Sequence, residues 1–273
     1  MKILNKRNVC LAVAILGMIW LAAYELLKLE GVLFGGLDEG ARYLASMATT
    51  RFTGGVIFAA MLINLEYKVF RPARQGCWRS IAFCLPAFAV AINNFPFSQI
   101  IKGGAVIDAP AWKIALLLFE CMCIGFFEEI AFRGVVLLRL IRRKPESRAW
   151  VFLSIVLSSV IFGLVHLINL YNSSPSAVFM QIGYSALIGA MCSVVLIKTA
   201  DIWLCIVLHG IFNFGGAVVQ YCGSGEIWDT FTVVITAVIA VATALYMVFA
   251  FLRADLGIFD VIFGKKSVSD NEK

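Results

Sequence analysis

Long apolar stretches, separated by short polar or basic segments, dominate this chain. About 20 apolar residues are needed to cross the hydrocarbon core of a bilayer as a helix. We predict spans at residues 9–27, 54–67, 80–93, 112–143, 149–170, 177–197, 202–221 and 230–252. They do not alternate apolar and polar residues as barrel strands would. The pattern predicts an all-α fold, a polytopic integral-membrane helical bundle with about eight transmembrane helices.

The polar segments divide the chain further. Residues 28–53 mix charged and apolar positions and predict a surface or interfacial helix, so the second span, from about Gly54, is short. We predict an N-terminal part at 1–79, with two spans and a basic loop, and a core at 80–221. The last part, 222–273, holds the final span and a cytoplasmic tail that ends in a polar, disordered stretch. Together they form one structural domain.

Composition agrees with a membrane protein, since 61% of the residues are hydrophobic, above the roughly 45–50% of soluble domains. The net charge of +6 is interpreted through loop asymmetry rather than as a sign of nucleic-acid binding. Of the 23 Lys and Arg residues, 17 fall on the predicted side of the termini and 5 on the other. This bias predicts a multi-pass plasma-membrane protein with both termini in the cytoplasm. The cysteines, mostly within apolar stretches, are interpreted as packing residues.

Three ionisable residues interrupt the fourth span. Glu128, Glu129 and Arg133 lie where other residues are apolar, and each costs at least about 2.5–3.5 kcal/mol at the centre of a membrane helix. Glu129 and Arg133 are four residues apart, so they share a helix face as an ion pair. Glu128 is turned about 100° away. The spacing predicts one carboxylate held by arginine and one available for chemistry.

Both histidines of the chain also lie within predicted spans. His166 ends Phe162-Gly-Leu-Val-His166, and His209 precedes Asn213 by four residues on one helix face. Each histidine could simply be a satisfied core residue that bonds a neighbouring helix. However, polar groups inside a bundle are expected to converge on one another or on a water-filled cavity. We therefore favour a functional site.

Secondary candidates accompany these residues. Glu120 lies two turns before Glu128 and could line the same cavity, although a plain polar contact is the simpler reading. Asn169 follows His166 by three residues and could support it. Asn93 and Asn94 end the third span and are interpreted as interfacial residues.

Three motifs in this order resemble the CAAX protease and bacteriocin-processing (CPBP) family, which includes the type II CAAX prenyl endopeptidases. Its signatures are E-E-x-x-x-R, F-x-x-x-H and H-x-x-x-N on successive helices. They occur here as Glu128-Glu129…Arg133, Phe162…His166 and His209…Asn213, within a resemblance that covers roughly residues 80–220.

The resemblance implies an intramembrane glutamic endopeptidase. By motif position, Glu128 resembles the general base that activates water, and His166 resembles its partner on that water. His209 and Asn213 resemble the pair that stabilises the oxyanion, and Glu129 with Arg133 the supporting ion pair. The residue types suit the reaction independently, because peptide hydrolysis needs a base and donors aimed at the developing oxyanion.

Metal-dependent hydrolysis remains an alternative. Glu128, His166 and His209 could ligate zinc with a fourth position open. No H-E-x-x-H motif is present, and the histidines are far apart in the sequence. We therefore expect no cofactor, with zinc as the second choice.

The predicted substrate is a peptide or a membrane protein beside or within the lipid bilayer. The composition and short basic loops are typical of bacteria, where leader peptides, pheromones or bacteriocin precursors are the expected substrates. A different class of function is a non-proteolytic immunity or regulatory module of the same fold. A transporter, with the buried charges as an ion path, is a third reading. The sequence leaves the oligomeric state open.

Overall fold

The computed structural model describes residues 6–70 and 76–264, so the end of the tail and part of the basic loop lie outside the described residues. The fold is almost entirely helical, which confirms the predicted class. The helices are α1 (Lys6–Leu26), α2 (Leu29–Phe34), α3 (Glu39–Asn64), α4 (Cys77–Asn93), α5 (Phe97–Lys102), α6 (Ala111–Glu129), α7 (Leu138–Ile141), α8 (Arg148–Val165), α9 (Pro175–Thr199), α10 (Ile202–Cys222), α11 (Thr230–Leu252) and α12 (Ile258–Ile262). A π-helical segment, Ile130–Leu137, joins α6 to α7, and a 3-10 helix, His166–Tyr171, follows α8.

Six helices of the described chain are long and apolar enough to cross a membrane: α1, α3, α8 with its 3-10 extension, α9, α10 and α11. The predicted third span corresponds to the shorter apolar helix Trp78–Asn93. The predicted fourth span corresponds to the continuous helix from Ala111 to Ile141, which carries the charged motif.

The predicted start of the second span is wrong. The helix runs over Glu39–Asn64, so part of the segment interpreted as interfacial belongs to the span. Charged residues explain the error, because Arg42 and Arg51 lower the apolar signal of a helix that nevertheless buries small residues such as Ala41 and Ala45. Small residues let membrane helices approach closely. Nearby, Tyr24 of α1 donates a hydrogen bond to Ser46 at 2.9 Å.

Contacts divide the described chain into two units, and the division runs between Glu128 and Glu129. The first unit comprises residues 6–64, 85–128 and 206–243. Within it, α3 and α6 run in the same direction, as the second and fourth spans of a membrane protein should. Asp38 pairs with Lys113 at 2.9 Å, and further along both helices Phe52 stacks on Phe126 at 5.7 Å between ring centroids.

A two-stranded antiparallel sheet in the first unit joins two distant parts of the chain, because one strand precedes α6 and the other follows α10. Its strands are β1 (Ala105–Ile107) and β2 (Gly223–Gly225). Gly225 has a φ of 110°, and a Cβ there would lie 2.2 Å from the carbonyl oxygen of Gly104, so the close pairing requires glycine.

Beyond this sheet, Lys102 pairs with Asp229 at 2.5 Å. Hydrogen bonds from Lys102, Thr232 and Ser98 hold the pKa of the Asp229 carboxyl below its ordinary value.

The second unit contains residues 129–205 and 244–264, and residues 65–84 as far as they are described. Its helices α8 and α9 pack closely where a Cβ on Gly163 would meet the Ile182 carbonyl oxygen at 2.8 Å. Arg148 donates hydrogen bonds to the carbonyl oxygens of Phe251 at 2.7 Å and Ala254 at 2.9 Å. These bonds satisfy backbone acceptors at the end of α11, where no further helical turn can do so.

Candidate functional site

Two glycines bring α6 and α10 into close contact in the first unit. A Cβ on Gly125 would lie 2.7 Å from the carbonyl oxygen of Ile206 and 3.2 Å from the amide nitrogen of Gly210. A Cβ on Gly210 would in turn lie 2.6 Å from the sulfur of Met122. Backbone approach at this distance is possible because neither residue has a side chain. The contact lies one helical turn from Glu128 on α6 and beside His209 on α10.

Glu128 and His209 face each other next to this contact. Oε2 of Glu128 lies 3.6 Å from Nε2 of His209, and the two side chains are 16% and 6% exposed. This separation exceeds a direct hydrogen bond, whose N···O distance is usually about 2.7–3.2 Å. A base and a donor at this spacing can act on the same small group. Asn213 lies one turn further along α10 and is partly buried.

Aromatic side chains fix the end of α6 against α3. Ring atoms of Phe126 and Phe127 occupy the positions that side chains on Gly55 and Gly54 would fill, since a Cβ there would lie 2.2 Å and 2.8 Å from them. The residues that directly precede Glu128 are therefore seated in notches on a neighbouring helix. This packing limits rotation of α6, so it defines the direction in which Glu128 points.

Asn94, directly after the end of α4, contributes to the structure of this region. Its side chain is buried, at 8% exposed, and donates a hydrogen bond to the carbonyl oxygen of Phe212 at 2.7 Å. Gly215 allows the approach, because a Cβ there would lie 2.8 Å from the amide nitrogen of Phe95. Asn94 thus restrains α10 next to Asn213. In the sequence, this contact could have been suspected only from an asparagine at the end of an apolar span and the pair Gly215-Gly216 on a later span.

The second unit holds the other carboxylate. Oε1 of Glu129 lies 3.1 Å from Nη1 of Arg133, and the side chains are 0% and 1% exposed. This is the i,i+4 pair that the spacing predicted. Arg133 sits inside the π-helical segment, which begins directly after Glu129. Such π segments are uncommon and often occur at functional sites.

Arg133 is enclosed by aromatic and backbone groups. Its guanidinium carbon lies 4.3 Å from the centroid of the Phe162 ring, a cation–π contact. Its Nε lies 3.4 Å from the carbonyl oxygen of Gly189, at the outer limit of a hydrogen bond. A Cβ on Gly189 would lie 2.6 Å from Nη2 of Arg133, so the glycine makes room for the guanidinium. The F-x-x-x-H motif therefore supplies part of the arginine's surroundings.

His166 lies at the junction of α8 and the 3-10 helix in the same unit. Its Nδ1 is 3.1 Å from the carbonyl oxygen of Phe162, so this bond orients the ring and leaves Nε2 for another partner. Asn169, predicted as a support for His166, instead donates a hydrogen bond to Gln181 at 2.8 Å. That bond ties the 3-10 helix to α9.

Candidate metal donors cluster at one place in residues 6–70 and 76–264. Donor atoms of Glu129, Cys192 and Cys205 all lie within 4.8 Å of one another and are buried. Glu129 already pairs with Arg133, and the Cys205 thiol donates to the Cys192 carbonyl oxygen at 3.2 Å. These bonds explain the proximity of the three residues as packing in the protein core. Cysteines whose side chains are described are free thiols and buried, as expected for packing residues.

The structure thus brings Glu128 together with His209 in the first unit, and the predicted pair of Glu129 and Arg133 together in the second. The resemblance had implied His166, rather than His209, as the partner of Glu128. His166 belongs to the second unit and is linked there to Phe162. Glu120, the secondary candidate, is buried at 6% exposed and lies 3.5 Å from the Cys121 thiol. The catalytic roles suggested by motif position stay predictions.

Part of the chain matches a known protein family. Residues 110–215 match the family described as type II CAAX prenyl endopeptidase Rce1-like. The match is consistent with the CPBP family and confirms the resemblance noted from the three motifs, all of which it contains. It supports CAAX-type intramembrane protease activity in general terms and, with the apolar helices, a multi-pass membrane protein. No curated protein and no solved structure matches the chain.

Proposed function

We propose, from the Rce1-like match of residues 110–215, that the protein is a glutamic intramembrane endopeptidase that cleaves peptide bonds of membrane-associated peptides. One observation carries the proposal: the Glu128 carboxylate lies 3.6 Å from His209 beside a close helix contact. An ionisable pair at membrane depth is costly and therefore indicates function. The pair combines a proton acceptor with a donor, the two group types that amide hydrolysis needs.

In the proposed reaction, Glu128 takes a proton from a water molecule as the water oxygen bonds to the carbonyl carbon. The carbonyl π electrons move to oxygen, and His209 with Asn213 donates hydrogen bonds to this oxyanion. Each such donor is worth about 2.7–4 kcal/mol of transition-state stabilisation. The protonated Glu128 then gives its proton to the departing amine as the C–N bond breaks. The products are a carboxylic acid and an amine, and no cofactor takes part.

His166 is assigned to the attacking water by its motif position. The hydrogen bond between its Nδ1 and the Phe162 carbonyl oxygen supports this role, because it favours a ring with Nε2 as acceptor. Glu129 and Arg133 are proposed to hold the π-helical segment rather than to contact substrate. Their complete burial supports a structural role.

Apolar helices on both sides of the motif support a substrate that approaches through or beside the bilayer. We propose leader-type peptides, bacteriocin precursors or other membrane proteins as the class. The excess of basic residues in alternate loops supports cytoplasmic termini in the plasma membrane.

The central experiment compares N-termini in membrane fractions from wild type, a deletion strain and Glu128→Ala. We expect new N-termini in the wild type that are lost equally in the other two strains, which would also identify substrates. A Glu128→Ala strain that keeps both the N-termini and the phenotype would favour the immunity or regulatory module instead.

The zinc alternative needs a separate test. We expect purified enzyme to retain cleavage after treatment with 1,10-phenanthroline (a strong zinc chelator), and metal analysis to find less than stoichiometric zinc. Loss of activity that returns on adding zinc would assign Glu128, His166 and His209 to a metal instead.

A further inference from the structure

Arg51 is a charged residue inside a membrane helix that the proposed reaction does not use. It lies in the middle of α3 and is partly buried. Its Nε is buried and has no hydrogen-bond partner among the described residues. Arginine within a membrane span is rare and usually marks a substrate or ion path. A guanidinium in that setting calls for an anion.

The position of Arg51 connects it to the proposed active site. Its guanidinium carbon lies 5.5 Å from the centroid of the Phe127 ring, and Phe127 directly precedes Glu128. Arg51 is three and four residues before Gly54 and Gly55, which seat Phe127 and Phe126. It therefore lies on the face of α3 that packs against α6.

Open space accompanies this stretch of α3. An open apolar groove of about 280 Å³ lies along α3 and α6 next to this stretch, and Arg51 itself does not line it. Its lining includes Thr49, Phe52 and Thr53 of α3 with Leu116 and Phe119 of α6. A short apolar segment of a peptide fits a groove of this kind.

We propose that Arg51 binds a carboxylate of the peptide substrate and so selects which bond reaches Glu128. The inference rests on the proposed endopeptidase function. Arginine suits the task because its planar fork matches a carboxylate with two parallel hydrogen bonds. The carboxylate is either the C-terminus of the peptide or an Asp or Glu side chain.

A rival explanation is that Arg51 only neutralises Glu120. The charges of Arg51 and Glu128 both act on the buried Glu120 carboxyl. A counter-charge of this kind would matter for stability and would not discriminate among peptides. Discrimination among peptides is therefore the quantity to measure.

The experiment uses the full-length protein in liposomes and a mass-spectrometric library of ten-residue apolar peptides. Each peptide is made as the free acid and as the C-terminal amide, and peptides with an internal Asp are also made with Asn. Wild type is expected to cleave one carboxylate form about 10- to 100-fold faster in kcat/KM than its neutral partner, the range for one charge-assisted hydrogen bond. The C-terminal and side-chain arms identify which carboxylate is bound.

Arg51→Gln is expected to reduce that ratio to about one, chiefly through KM for the acidic form, while cleavage of the neutral peptides stays near the wild-type rate. Arg51→Lys keeps the charge but not the fork and should retain part of the ratio. The matched control is Arg42→Gln on the same helix. Its Nε is likewise buried without a hydrogen-bond partner among the described residues, but its Nη2 donates to the carbonyl oxygens of Gly35 and Leu37.

The outcomes are distinct. Unequal cleavage by wild type that Arg51→Gln leaves unchanged would overturn the inference, as would equal cleavage of both forms by wild type. If Arg51→Gln fails to fold, the partial loss in Arg51→Lys decides instead, and an unchanged ratio there overturns the inference. No cleavage of any peptide, with the N-termini of membrane proteins also unchanged by Glu128→Ala, would be a failure of the proposed function itself.

Discussion

Glu128 and Glu129 are neighbours in the chain, yet they sit in two different environments. Glu128 is partly exposed, at 16%, and faces a histidine at 3.6 Å without a direct hydrogen bond. Glu129 is fully buried and paired with Arg133 at 3.1 Å. The first carboxylate is therefore loosely held and can accept a proton from a third group that approaches both side chains. The charge of the second carboxylate is neutralised by Arg133. The two acids therefore differ in their ability to exchange a proton with another group.

This difference separates chemistry from support. A carboxylate that must accept and return a proton needs access to water and a loosely held partner. A buried ion pair, by contrast, gains its strength from geometry, and breaking it leaves an uncompensated charge. Adjacent residues on a helix point in different directions, and the π-helical segment begins directly after Glu129. These two features place the two carboxylates in separate roles.

The largest expected effect is on catalysis at the first site. Glu128→Gln removes the proton acceptor but keeps the side-chain shape, so we expect cleavage to fall by about 10²- to 10⁴-fold. Thermal unfolding should stay close to wild type, because the side chain is partly exposed and its contact with His209 is long, at 3.6 Å. Glu25→Gln, an exposed position on α1, is the control and should retain full activity.

The next effect is on stability at the second site. Glu129→Gln leaves the Arg133 guanidinium buried without its counter-charge, and breaking such a pair costs about 3–5 kcal/mol. We expect a clear drop in the unfolding midpoint in detergent, measured by tryptophan fluorescence. An unfolding midpoint equal to that of wild type would show that the ion pair does not support the fold.

A third test moves the first site without touching its chemistry. Gly125→Ala places a methyl group against backbone atoms of α10 that cannot rotate away, and overpacking of this kind costs about 1–3 kcal/mol. We expect Glu128 to move relative to His209. The fall in kcat should then be larger than the fall in substrate affinity. Gly183→Ala on α9, where no atom lies within 4 Å of the added methyl group, should be neutral. Unchanged kcat in Gly125→Ala would mean that the close contact does not position Glu128.

The smallest effect concerns a polar contact away from both carboxylates. Because Lys102 and its neighbours lower the pKa of Asp229, this carboxyl contributes stability above its ordinary pKa of 3.8 and loses it as the pH falls through the lowered value. Asp229→Asn should therefore lower the unfolding midpoint slightly at neutral pH. The difference from wild type should shrink as the pH drops below 3.8, and a difference that grows in acid would contradict this.

Much of the fold was predictable because membrane helices consist of long runs of apolar residues. The Glu129–Arg133 pair was predictable too, since residues four apart meet on any helix. The start of α3 was missed because Arg42 and Arg51 lower its hydropathy, while buried small residues such as Ala41 contribute through close packing instead. Such packing depends on the neighbouring helix, which a local pattern does not specify.

The surroundings of the first site were the least predictable part. The motif order indicated that Glu128 and His209 belong to one site, but not that Gly125 and Gly210 create the approach. A single glycine in a span has many explanations, and its partner lies some 85 positions away in the sequence. The hydrogen bond of Asn94 was not predictable for the same reason, because its acceptor is a backbone carbonyl on a distant helix.

The most direct test of the division between the two acids is cleavage by a doubly neutral variant, Glu129→Gln with Arg133→Met. Removing both charges avoids the unpaired guanidinium and is far less costly than removing one. We predict that this variant, once shown to be folded, cleaves at a rate within about tenfold of wild type, whereas folded Glu128→Gln does not. A folded double variant as inactive as Glu128→Gln would contradict the account, because Glu129 and Arg133 would then belong to the chemistry itself.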